Sequence, residues 1–145
     1  MSFSSVQLTE QCLDRIAGRD AELRAFIHVM PDAARAAAAA SDRRRKQNLV
    51  LGGLDGITVA IKDNVDIAGL STSGGIGHYA NRIAASDAAI VRRLKAAGAV
   101  LIGKTNLHEA ALGATTDNPW FGRCVNPLRA GYTPGGSSEI GRAQV

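Results

Sequence analysis

The chain has 145 residues, 46% of them hydrophobic and only 4% aromatic, with a formal net charge of +4 at pH 7. That length suffices for one domain with a sizeable core built from Ala, Ile, Leu and Val, and no apolar run is long enough to span a membrane. Only Cys12 and Cys124 are present, without metal-ligand spacing, and residues 1–11 lack a basic region followed by an apolar one. The expectation is therefore free thiols, no signal peptide and a soluble, cytoplasmic protein.

Ser4 or Ser5 can cap a first helix. Leu8, Cys12 and Ile16, with Leu13 beside them, make its apolar stripe, and Gly18 is the expected stop. Residues 23–29 are extended in character, and His28 inside them reads as structural. Pro31 opens a second helix, Asp32 suits its positive end, and the alanine run 33–40 has high helix propensity but little grip on a core. Arg43, Arg44, Arg45 and Lys46 close it. Four consecutive cations could touch nucleic acid, but a solvated helix C-terminus accounts for them. Residues 1–50 read as a helical layer.

The stretch GLDGITVAIKDNVD (53–66) is the one around which the chain is organised. Its apolar, β-branched run 57–61 is punctuated by turn formers on both sides, as a short buried strand is. Lys62 stands at the strand's end. There it either heads for solvent or is held in a site, where burial would disfavour its charge and let it accept a proton. The polar, glycine-rich stretch 69–77 either brings backbone N–H groups to a ligand or simply allows tight turns. Ser86 is the expected cap of a helix bearing Ala88, Val91, Leu94 and Lys95, which Gly98 ends. Residues 99–102 form a strand, and Asn106 with Glu109 predicts a capping box on another short helix. Helix, glycine and buried strand in this order predict an α/β architecture.

Residues 98–105, GAVLIGKT, satisfy G-x-x-x-x-G-K-[ST]. A phosphate-binding loop needs a strand before the first glycine and a loop between the two. Here a helix comes first and the strand lies between the glycines, so their N–H groups should be spent on sheet bonds. Further on, GYTPGGSS (131–138) brings serine hydroxyls close to whatever approaches, or is a surface turn.

Four blocks together are more specific than any one: GGLDGITVAIKDNVD at 52–66, STSGG at 71–75, GAVLIGKTNLHEAALG at 98–113 and NPLRAGYTPGGSS at 126–138. In order and spacing they resemble the amidase signature family. The resemblance implies an α/β fold with a mixed central sheet flanked by helices, here its N-terminal part. It makes 1–145 a single partial amidase domain: helical layer 1–50, signature part 51–138 and divergent tail 139–145. It implies amide hydrolysis by a Ser–cisSer–Lys triad, with Lys62 as the catalytic lysine and Ser137 as the proton-relaying serine after a cis peptide bond. Gly135, Gly136 and Ser138 would lie on the substrate-binding side. No cofactor and no metal are implied. The expected partner is a small-molecule amide, with nucleic acid reached only through an amidotransferase complex, no membrane, and a homodimer as an open alternative.

The sequence departs from the family where the nucleophilic serine should follow, in a segment like GTDTGGSIR; here Ser138 is followed by EIGRAQV. The expectation is a truncated chain, inactive alone, with an unpaired sheet edge and a marginal, aggregation-prone fold. Two alternatives stand beside the hydrolase: the glutaminase component of a tRNA-dependent amidotransferase, and a non-catalytic scaffold or interaction remnant.

Overall fold

A computed structural model of the chain describes residues 4–129 and 131–136. Three helices, α1 (Ser5–Leu23), α2 (Pro31–Lys46) and α3 (Ala89–Ala96), alternate with three strands, β1 (Phe26–Val29), β2 (Thr58–Lys62) and β3 (Val100–Thr105). The sheet order is β1-β3-β2, with β1 antiparallel and β2 parallel to the central β3. This is the mixed α/β arrangement expected from the sequence. Among the described residues β1 and β2 each pair on one side only.

Helix α1 starts at a capping box. The Ser4 hydroxyl accepts from the Gln7 N–H at 3.1 Å, and the Gln7 side chain accepts from the Ser4 N–H at 3.0 Å. Contrary to expectation Gly18 does not stop it. A glycine inside a helix costs about 1 kcal/mol against alanine, which packing of α1 on α2 offsets. The helix ends at Arg24 in the left-handed region (φ 53°), where Asp20 takes the N–H groups of Ala25 and Phe26.

The alanine run of α2 grips more than its composition suggests. Ala34 and Ala38 are fully buried against Val100 and Ile102, because small side chains let the helix lie close to the sheet. Its basic end is no merely solvated terminus. Arg44 forks onto the buried carboxylate of Asp55 (2.6 and 3.0 Å), and Arg45 donates to the Asp55 carbonyl at 3.2 Å. A second core of Ile61, Ile67, Val91 and Leu101 forms where α3 packs. Ser86 does not cap α3, which begins at Ala89 behind Ala88; the neighbouring Asp87 accepts instead from the Ala68 N–H and from Lys95.

The β2–β3 register slips by one residue. Val59 faces Leu101, but Ala60 faces Gly103, so Ile102 is extra and Lys62 pairs with Thr105. Gly103 is required by close approach: a Cβ there would run into the His28 carbonyl of β1. The short helix expected after Asn106 reduces to one 3₁₀ turn, Glu109–Ala111, without a capping box. Asn106 is otherwise engaged, donating to the carbonyls of Arg24 (3.0 Å) and Gly122 (2.9 Å) and accepting from the Leu107 N–H.

Candidate active site at the strand ends

Lys62 is the last residue of β2 and is half-buried. Its neighbour Asp63 is 1% exposed and bound on every side. The Asp63 N–H donates to the Thr105 carbonyl (3.1 Å) and its carbonyl accepts from the Gly74 N–H (2.9 Å). Its carboxylate pairs with the ammonium of Lys104 at 2.6 Å and accepts from the N–H (2.9 Å) and the hydroxyl (2.5 Å) of Ser73. Lys104, with no exposed surface, also donates to the Ser71 carbonyl (2.7 Å) and the Thr72 hydroxyl (2.5 Å). Burial pulls the Lys104 ammonium below the ordinary lysine value, and the carboxylate of Asp63 opposes that.

This network assigns the STSGG stretch a place. Residues 71–75 wrap a buried ion pair, and Gly75 sits where a Cβ would press on Asn118, the His108 carbonyl and Leu107. It also answers the phosphate-loop match at 98–105. Residues 100–105 are strand and wholly buried, and Lys104 is consumed by Asp63 rather than offered to a ligand.

Asn118 joins the loops beyond the strands. Buried, it donates to the carbonyls of Gly75 (2.8 Å) and Leu107 (2.9 Å) and accepts from the N–H groups of Trp120 and Phe121. Two residues earlier, Thr116 donates through its hydroxyl to the Gly136 carbonyl at 3.2 Å. The Gly135 N–H donates to the Thr133 hydroxyl at 3.1 Å, and Thr133 donates to the Thr115 carbonyl at 3.3 Å. Gly135 and Gly136, both exposed, have φ of 89° and 90°, a region that favours glycine. Hydrogen bonds of Thr115 and Thr116 on one side and of Asn118, two residues on, on the other thus tie residues 133–136 and the loop at Gly75 to one short backbone segment. Ser137, Ser138 and the expected cis bond lie outside the described residues.

Asp63, Lys104, Ser73, Thr72 and Asn118 were not singled out from the sequence. The signal available was a lysine ending a buried apolar strand, which needs a buried acid, and an aspartate directly after Lys62. Among the described residues no group of three or more His, Cys, Asp or Glu side chains could hold a metal ion.

The arrangement presents an amine on a rigid strand end beside glycine-rich loops. The Amidase family model matches residues 7–139. The chain is 46% identical over 143 residues to the A-type subunit of the glutamyl-tRNA(Gln) amidotransferase of Chloroflexus aurantiacus, covering 99% of this chain and 29% of that protein. It is 43% identical over 143 residues to the corresponding protein of Pseudomonas fluorescens, with the same coverage. Among solved structures it superposes on the peptide amidase of Stenotrophomonas maltophilia with a TM-score of 0.84 at 38% identity, covering 94% of this chain and 29% of that one. A structure from a vestigial protein complex, described as revealing the origins of an s-triazine catabolic enzyme, matches with a TM-score of 0.89 at 40% identity, covering 94% and 30%. The chain spans under a third of the length of these relatives.

Proposed function

This chain belongs to the Amidase family, and from that premise we propose that it is part of an enzyme cleaving a carbon–nitrogen amide bond through a Ser–cisSer–Lys triad. Lys62 is the base. As a neutral amine it takes a proton through the hydroxyl of Ser137, which relays it from a nucleophilic serine. That serine attacks the amide carbonyl, and the acyl-enzyme passes to water or another amine. Gly135, Gly136 and Ser138 border the substrate, a small amide, and the developing oxyanion is stabilised by backbone N–H groups of the glycine-rich segment that carries the nucleophilic serine. The observation that carries the reading is the anchoring of the backbone directly after Lys62: Asp63 is held by a buried lysine, a buried serine and two backbone hydrogen bonds. The layout of helical layer 1–50, signature part 51–138 and tail 139–145 belongs to the same reading, as does a soluble, cytoplasmic protein. No helix among the described residues is long and apolar enough to cross a membrane.

A second reading is favoured by the 46% identity to an amidotransferase component over nearly the whole chain. In it the same chemistry releases ammonia from glutamine within a complex of other proteins that works on charged tRNA. Homodimerisation is the alternative assembly.

One experiment tests the lysine's role. The matching segment of the Chloroflexus aurantiacus protein is replaced by this chain, and amide hydrolysis is assayed. Lys62→Met in the chimera should lower kcat by about a thousandfold, the scale of a lost acid–base group, while Lys95→Met should leave it unchanged. The 145-residue polypeptide alone, with no segment resembling GTDTGGSIR, should show no turnover. A chimera whose activity survives Lys62→Met would move the scaffold reading to first place.

A further inference from the structure

Residues in register across a sheet share a face. One such row is Phe26, Thr105 and Lys62, on β1, β3 and β2. Phe26 packs on Ala34, Ala38, Val100 and Ile102, so the row stands on the side of α1 and α2. Thr105 is 2% exposed, and its hydroxyl has no hydrogen-bond partner. A buried polar group left unpaired is destabilising. Valine would fill nearly the same volume without that cost. The orphan oxygen is the direct in-register neighbour of Lys62.

We infer that Thr105 is a positioning residue for Lys62: its hydroxyl oxygen accepts a hydrogen bond from the Lys62 ammonium once that amine has taken up a proton. The inference rests on the reading of Lys62 as the base. A neutral amine has two N–H donors and a lone pair, whereas an ammonium has three donors. Protonation therefore adds one donor, and Thr105 is an acceptor that nothing else occupies. Lys62 has an interaction of its own, and the added donor lets it keep that while engaging Thr105. A hydrogen bond from an ammonium is stronger than one from a neutral amine, so this acceptor stabilises the product of proton transfer more than its starting state, the condition for assisting the step.

The test reads the amine of the 145-residue chain itself. Its four lysines, Lys46, Lys62, Lys95 and Lys104, are acylated with a trace of acetic anhydride at neutral pH and quantified by peptide mass spectrometry. Removing the acceptor raises the neutral, reactive fraction. A hydrogen bond to a charged group is worth about 1.5 kcal/mol, about tenfold in an equilibrium. Thr105→Val should therefore raise labelling of Lys62 relative to Lys46 by about tenfold, and Thr105→Ser, which keeps the oxygen, should not. Continued protection of buried Lys104 certifies the fold in each variant. Thr105→Ala removes the same oxygen and repeats the test should valine unfold the chain. An unchanged or lowered Lys62 ratio in the folded variant lacking the hydroxyl, or serine behaving as valine does, overturns the inference. A purely structural Thr105 would move the melting temperature and leave the ratio alone. Failure of the base reading is recorded elsewhere, by activity surviving Lys62→Met in the chimera.

Discussion

Two lysines stand on neighbouring strands, Lys62 last in β2 and Lys104 next to last in β3, and their surroundings differ. Lys104 is closed off completely, with Asp63, Ser71 and Thr72 taking its donors. A buried pair adds little net stability over an apolar pair, but breaking it strands a charge. Lys104→Met should therefore destabilise the chain by about 3–5 kcal/mol, read from the urea midpoint, and adding Asp63→Asn should recover part of that loss. An additive double variant would show that the two side chains do not depend on each other. Burial lowers the pKa of Lys104, so the folded state binds its proton less tightly than the unfolded chain does. Its ionisation thus opposes folding at neutral pH, and that opposition fades as pH rises from the lowered value towards 10.5.

Among the elements, the turn from α3 into β3 has little freedom. Gly98 has φ +81°, and a Cβ there would collide with Asp55, the residue on which Arg44 is anchored. Gly98→Ala should cost about 2 kcal/mol or more, from the left-handed backbone together with the displaced carboxylate, measured as a fall in melting temperature. Gly18→Ala, at a helical site with open space, should instead stabilise. Gly98 was legible as a helix stop because the apolar period ends there and a strand run begins. Gly18 misled because the same residue in α1 is outvoted by packing on α2, which no local window contains. The α/β order, strands at 57–61 and 99–102, and a helix opened by Pro31 were readable from period and punctuation. The Lys104–Asp63 pair was not, because its members are 41 positions apart in the sequence and meet only once β2 and β3 align.

For the molecule as a whole, paired carboxylates set the response to acid. Asp55 is held well below the ordinary carboxylate range by its fork with Arg44, Asp66 is lowered by Arg82, and Asp87 by Lys95. These groups bind protons more weakly folded than unfolded. Their contribution is present above the unfolded value of 3.8 and is lost as pH falls below it. Melting temperature should accordingly be level from neutral pH down to about 5 and drop steeply towards about 2. Asp55→Asn should lower stability at neutral pH and flatten that acid limb. A wild-type melting temperature unchanged on acidification would contradict the assignment. Arg44–Asp55 and Asp87–Lys95 are near neighbours in sequence, 11 and 8 positions apart, whereas Asp66–Arg82 needed the folded loop.

The extra residue in β3 has a consequence for charge placement. Without Ile102 as an insertion the count would run straight on, with Ala60 opposite Ile102, Ile61 opposite Gly103 and Lys62 opposite Lys104. Two ammonium groups would then stand side by side on one face, a repulsive pairing. One inserted residue exchanges the parity of everything after it. It turns Lys104 towards the acid on the far side of the sheet and sets a hydroxyl next to Lys62. The bulge acts as a sorting device: it sends one cation to hold the scaffold and leaves the other at the strand end, where the proposed function places the base.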